Sequence, residues 1–166
     1  MNGWHSIGRF WAAPQLHRCK MTRGAFVCVA LLVGGPLNAK ECTRLDAAAA
    51  EAVLDYLDSW HNVHLAYTQY VHCEGNIGVS EGLSNAIAEL LEDHWARLKD
   101  LVRLVHSDPG FEAFVLRHVD ETIEDDSRRS IDTSARDRCP RDAVDLCAKL
   151  RTRILSLGPW HSGNVT

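Results

Sequence analysis

The chain has 166 residues, a length that suits one domain, and its 46% apolar and 24% charged content suits a packed core. The formal net charge is −4, but residues 1–39 carry Arg9, Arg18, Lys20 and Arg23 and no acid, so the remainder is more acidic than the total suggests. An acidic body speaks against phosphate-backbone binding, which needs a basic surface, and no apolar run reaches the ~18 residues of a membrane span.

Within that remainder, residues 40–126 hold 18 acids and 6 bases, whereas residues 127–166 hold 4 acids and 8 bases. An acidic surface serves solubility, and it also favours a basic protein partner. No nucleic-acid partner is expected.

The first forty residues read as an export signal. Met21-Thr22-Arg23 is a short positive region. Ala25-Phe26-Val27-Cys28-Val29-Ala30-Leu31-Leu32-Val33 is an apolar stretch, broken by Gly34-Gly35-Pro36. Ala39 then offers a small residue for cleavage before Lys40, although Leu37 is larger than usual two positions earlier. Residues 1–20 are expected to be an upstream extension, 21–39 a signal peptide, 40–157 a helical domain and 158–166 a flexible tail. The alternative for the apolar stretch is a buried helix. A lipoprotein is not expected, because Cys42 follows Lys40-Glu41 rather than small residues. The chain is therefore expected in the periplasm or outside the cell, with no membrane anchor after cleavage.

Cleavage after Ala39 leaves Cys42, Cys73, Cys139 and Cys147. An even number in an exported chain favours two disulfides, with three connectivities open. Close C-x-x-C pairs, which a structural metal would need, are missing. On one straight helix Cys139 and Cys147 would stand ~12 Å apart, too far to bridge, but Pro140 interrupts the chain between them. A local bridge is allowed; the expectation is that Cys73 pairs with one of the two, tying the first helix to the last.

The first helix is expected over 45–71. Val53, Leu57, Trp60, His64, Tyr67 and Val71 recur at alternating spacings of about 4 and 3, a seam facing other helices. The connection Cys73-Glu74-Gly75-Asn76-Ile77-Gly78 follows. A second helix starts near Ser80 as N-cap, with Leu83, Ile87, Leu90, His94, Leu98, Leu101 and Val105 as its seam. Asp108 then caps a third helix and Pro109 takes its first position. Phe111, Val115, His118 and Thr122 form its inner stripe, with Phe114 beside it. A short polar fourth helix is expected over 128–138, capped by Ser127, with Ile131 and Ala135 inward. A fifth carries Val144, Leu146 or Cys147, Leu150 and Ile154. The expectation is all-α: a compact bundle of four to five helices, disulfide-linked, after an N-terminal signal peptide.

His64, His94 and His118 fall on predicted inner seams at similar heights. Together they suggest a transition-metal site or a protonation switch; separately they are core histidines, each bonded to a neighbour. His61 and His64, three residues apart, are a further surface-metal candidate. No H-E-x-x-H or E-x-x-H motif supports a metal. No cofactor is otherwise expected.

Arg117, His118, Asp120 and Glu121 have the composition of an acid–base set. Helical geometry divides them, since His118 is turned ~100° from Arg117. Arg117, Asp120 and Glu121 are expected as an outer charged stripe paired at i+3 or i+4, with His118 inward. No nucleophile elbow, P-loop or dinucleotide loop is present. Trp60, Tyr67, Tyr70 and Trp95 read as core, or as the lining of a groove for a peptide or apolar ligand. Asn164-Val165-Thr166 matches a glycosylation sequon.

Three segments carry a family likeness. Tyr67-Thr68-Gln69-Tyr70-Val71-His72-Cys73, the run from Phe114 through Arg117-His118-Val119-Asp120-Glu121-Thr122, and Cys139-Pro140 with Leu146-Cys147 resemble a family of short exported helical proteins from proteobacteria. The likeness covers about residues 56–155, and the family has no assigned activity. More loosely, the exported, helical, disulfide-linked architecture resembles the periplasmic immunity proteins that neutralise type VI secreted amidases. That second likeness rests on architecture only, so no functional residue carries over, and the binding loop of that group is missing.

The expectation is a non-enzymatic exported protein that binds another protein as an inhibitor or immunity-type factor. The alternative is a ligand- or metal-binding bundle built on His64, His94 and His118, and a third reading is an envelope hydrolase. Oligomeric state is left open.

Overall fold

The structure is a computed structural model and describes residues 40–159. The upstream extension, the signal peptide and the sequon at Asn164 lie outside the described residues. Within them the chain forms seven α-helices and no strand, the all-α architecture expected.

Helix α1 (Arg44–Val53) opens on a capping box. Thr43 accepts from the Asp46 N–H, and the Asp46 carboxylate accepts from the Thr43 N–H. The Thr43 hydroxyl, donating to Asp46 Oδ2 at 2.7 Å, then the Thr43 N–H and Lys40, hold the Asp46 carboxyl down to a pKa of about 2. The helix does not continue through residue 71 as expected. A 3-10 turn, Leu54–Tyr56, closes it, and α2 (Trp60–Tyr70) restarts after Ser59. The reason is local. Ser59 caps the Asn62 N–H, and the Asn62 amide donates to Tyr56 O and Asp58 Oδ1, both at 2.9 Å. These side chains offer the backbone bonds that compete with helix.

That break changes the disulfide pairing. On an unbroken helix, residues 42 and 73 would be ~45 Å apart. With α1 packed back against α2 and α3, Cys42 and Cys73 come to a Cα separation of 4.9 Å and bridge. Cys73 therefore does not pair with a C-terminal cysteine; Cys139 and Cys147 bridge each other. The Pro140 interruption and the 3-10 turn Arg141–Ala143 bring that pair within reach.

After a 3-10 turn, Val71–Cys73, helix α3 (Ile77–Glu92) starts at Asn76 rather than Ser80; the Asn76 side chain accepts from the Val79 N–H. Gly82 in α3 meets the Leu54 side chain so closely that a Cβ there would clash with it. The expected second helix also splits. It stops at Asp93, a 3-10 turn Trp95–Arg97 follows, and α4 (Leu98–Ser107) resumes. Trp95 turns into the core, where its indole donates to Arg138 O at 3.0 Å. A long-range bond thus overrides a helical pattern that ran straight through.

Helix α5 (Pro109–Arg117) begins as expected, with Asp108 accepting from the Gly110 N–H and Pro109 first. It ends at Arg117, several residues before Thr122, which is exposed. Helix α6 (Asp125–Asp137) begins before Ser127, with Glu124 at its cap. Ile131 and Ala135 face in, joined by Arg128, Asp132 and Ser134. Helix α7 (Val144–Ser156) buries Leu146, Cys147, Leu150 and Ile154, whereas Val144 is exposed, as is Val71 on the first seam. Gly158, in the left-handed region at φ 97°, follows α7, a backbone position only glycine adopts freely.

The core gathers Trp60, Val63, Ile87, Leu91, Leu101, Phe111, Phe114, Ile131, Leu150 and Ile154, all buried. The expected seams supply most of it. Helix α6 packs against both α3 and α7, and α5 sits between α4 and α7.

Candidate functional site

Helix α5 delivers the residues that the sequence singled out. Its last turn places Phe114 in the core, Arg117 outside and His118 at the C-cap. The side chains do not pair along the helix as expected. Because α5 stops, Asp120 and Glu121 leave its surface, and Arg117 instead reaches Glu74 across the α2–α3 connection. Its Nη2 lies 2.9 and 3.1 Å from the two carboxylate oxygens.

Asp120 turns inward to hold the chain after α5. It accepts from the Thr122 N–H at 2.9 Å, from the Thr122 hydroxyl at 2.5 Å and from the Ser84 hydroxyl at 2.9 Å. Glu121 is exposed.

His118 lies between these groups. Its Nδ1 is 3.0 Å from Ser84 Oγ, its Nε2 is 3.6 Å from Glu74 Oε1, and its ring meets Phe114 edge-on at 4.6 Å. The Ser84 hydroxyl proton is directed to Asp120, so Ser84 Oγ accepts the Nδ1 proton. That places a proton on Nδ1 and leaves Nε2 buried without a hydrogen bond. Burial pushes the His118 pKa below its ordinary value, against the opposing pull of the Glu74 and Asp120 carboxylates.

Serine, histidine and carboxylate are thus adjacent, but not in catalytic order. The serine proton points at Asp120, and Ser84 and His118 are 0% and 3% exposed, so a substrate has no path to them. What the cluster does chemically is lock α3, the end of α5 and the Glu74 connection to one another.

The three inward histidines do not converge. His64 pairs with Asp108 Oδ2 at 3.2 Å and packs edge-on against Phe111 at 4.8 Å. His118 sits beyond Phe114, which stacks on Phe111 at 5.9 Å, so the two histidines occupy opposite ends of a ring series. His94 is exposed, because the α3–α4 break carries it off the seam. Among the described residues no three His, Cys, Asp or Glu side chains are grouped as metal ligands.

A different feature stands out on the surface. A groove of about 210 Å³ runs between α1 and α2, lined by Val53, Tyr56, Leu57, Leu65, Ala66 and Tyr70. Tyr56 is 70% exposed and Leu65 43%, large apolar groups that the core does not need. Asp55 and Asp58, both exposed, bracket this turn, and Asn62 holds Asp58 in place. Between Arg44 and Arg97 there is no lysine or arginine at all, against nine acids. The seam pattern pointed Tyr67 and Tyr70 inward but gave no weight to Tyr56 and Leu65, which lie off it. The basic-free stretch was the signal that marks their surroundings.

These features define an all-α, doubly disulfide-bonded bundle whose prominent polar cluster is closed and whose open apolar groove has Asp55 and Asp58 beside it in the chain. No helix among the described residues is long and apolar enough to cross a membrane. No protein-family model, curated protein or solved structure matches the chain.

Proposed function

We propose that the protein binds another protein in an oxidising compartment, the periplasm or the exterior, as an inhibitor or immunity-type factor. The partner presents a basic amphipathic segment to the α1–α2 groove. The observation that carries this reading is the groove itself, with exposed Tyr56 and Leu65 beside Asp55 and Asp58 in a stretch free of lysine and arginine. Exposed aromatic and aliphatic groups supply the apolar contact, and the exposed Asp55 and Asp58 carboxylates favour a basic partner and speed its approach. Two disulfides fit such a compartment. Inhibition then follows from occupancy: a bound surface is withheld from the partner's substrate.

The test compares the wild-type chain with Tyr56→Lys/Leu65→Lys. Both positions are exposed, so the fold is expected to persist. A partner identified on the wild-type chain should bind the double variant about 100-fold more weakly, and binding should weaken with salt. Equal binding by the variant, or self-association of the wild-type chain through this surface, would overturn the proposal.

A further inference from the structure

A second cavity, sharing no lining residue with the groove, lies between the start of α2 and the face of α4. It measures about 670 Å³, within the range of sites that hold small organic molecules. Trp60, His61, Arg97, Asp100, Arg103 and Leu104 line it.

Three features separate it from an ordinary surface hollow. Arg97, Lys99 and Arg103 follow the 52 residues free of lysine and arginine, and the two arginines line the cavity, so it is a local reversal in an acidic region. Arg97 is held in place, donating to Asp58 O at 2.9 Å, which anchors one guanidinium nitrogen and leaves others to bind. Trp60, 1% exposed, gives the cavity a fixed aromatic wall.

We propose that this cavity binds a small organic anion, a carboxylate or a phosphate monoester. Its anionic oxygens pair with Arg97 and Arg103, and its body lies beside Trp60. Guanidinium groups suit both head groups because their paired N–H donors match planar or tetrahedral oxyanions. The first turn of α2 adds its positive end, with Ser59 as its cap. Asp100 opposes the anion, and it is already paired with Arg103. An arriving anion therefore exchanges an intramolecular partner of Arg103 for its own oxygen. Affinity is accordingly modest for a bare head group and rises with an apolar body against Leu104.

The experiment follows the Trp60 indole N–H resonance of the full, ¹⁵N-labelled chain, assigned by Trp60→Phe. Inorganic phosphate and phenyl phosphate form one arm; acetate and benzoate form the other. The expected result is a saturable shift of this one indole, with a dissociation constant of order 1 mM for the preferred head group and tighter binding for its aromatic form. Arg97→Gln/Arg103→Gln should weaken that binding at least tenfold. Arg103→Gln alone, at an exposed helix position, should weaken it in the same direction and serves if the double variant is unstable. No saturable shift with any of the four probes, or an unchanged shift in Arg103→Gln, would overturn the proposal.

Discussion

Removing the Cys42–Cys73 bridge is expected to destabilise the fold more than removing Cys139–Cys147. The perturbation is paired substitution: Cys42→Ala/Cys73→Ala against Cys139→Ala/Cys147→Ala. A disulfide acts mainly by restricting the unfolded chain, and the effect grows with the loop it closes. For sequence separations of 31 and 8 residues, the lost constraint is about 3.7 and about 2.5 kcal/mol. Each pair includes one buried sulfur, Cys73 or Cys147, so the cavity left by truncation largely cancels in the comparison. The difference of about 1.2 kcal/mol is therefore better determined than either total. Urea unfolding of the oxidised chain and both double variants, followed by circular dichroism, measures it. Equal destabilisation, or a larger effect from the 139–147 pair, would refute the reasoning. So would a non-reducing peptide map that joins Cys73 to Cys139 or Cys147.

Three further outcomes follow from the packing. His118→Ala removes a ring wedged against Phe114 and the Nδ1–H that Ser84 accepts, and should destabilise by about 3 kcal/mol in the same unfolding assay. Because burial lowers the His118 pKa in the fold from 6.5, the unfolded chain binds this proton where the folded chain does not. Its contribution is thus full above pH 6.5 and is lost as pH falls from there toward the folded value. Unfolding measured across that window should show a steeper loss for the wild-type chain than for His118→Gln. Ser59→Ala removes the cap that restarts α2 and should destabilise by about 1 kcal/mol, read as a shifted urea midpoint at unchanged slope.

The helical class, most of the core and the α4–α5 boundary were legible because they depend on local signals. Leu83, Ile87, Leu90, Leu98 and Leu101 are buried as their spacing required, and Asp108-Pro109 starts α5 through capping chemistry written in adjacent residues. The helix breaks were harder. Ser59 and Asp58 carry capping side chains, but the apolar period continued through them and masked the signal. The α3–α4 break rests on Trp95 reaching Arg138, 43 positions away, which no local window contains. The disulfide pairing failed as a consequence of the first break, since only a folded-back α1 brings Cys42 to Cys73. Arg117 pairs with Glu74 rather than Asp120 or Glu121 because α5 ends early. The same early ending gives Asp120 to Ser84 and closes the cluster that looked, as a string of residues, most like an active site.

The most direct test of the protein-binding account places a photoreactive p-benzoylphenylalanine at Tyr56, at the mouth of the α1–α2 groove, with the same probe at exposed Thr133 on α6 as control. Irradiation of the chain in its native compartment, followed by mass spectrometry of the adduct, reads what lies on each surface. The account predicts a Tyr56-specific adduct to a lysine- or arginine-rich segment of another protein. An adduct only to a second copy of this chain, or equal labelling from positions 56 and 133, would contradict it.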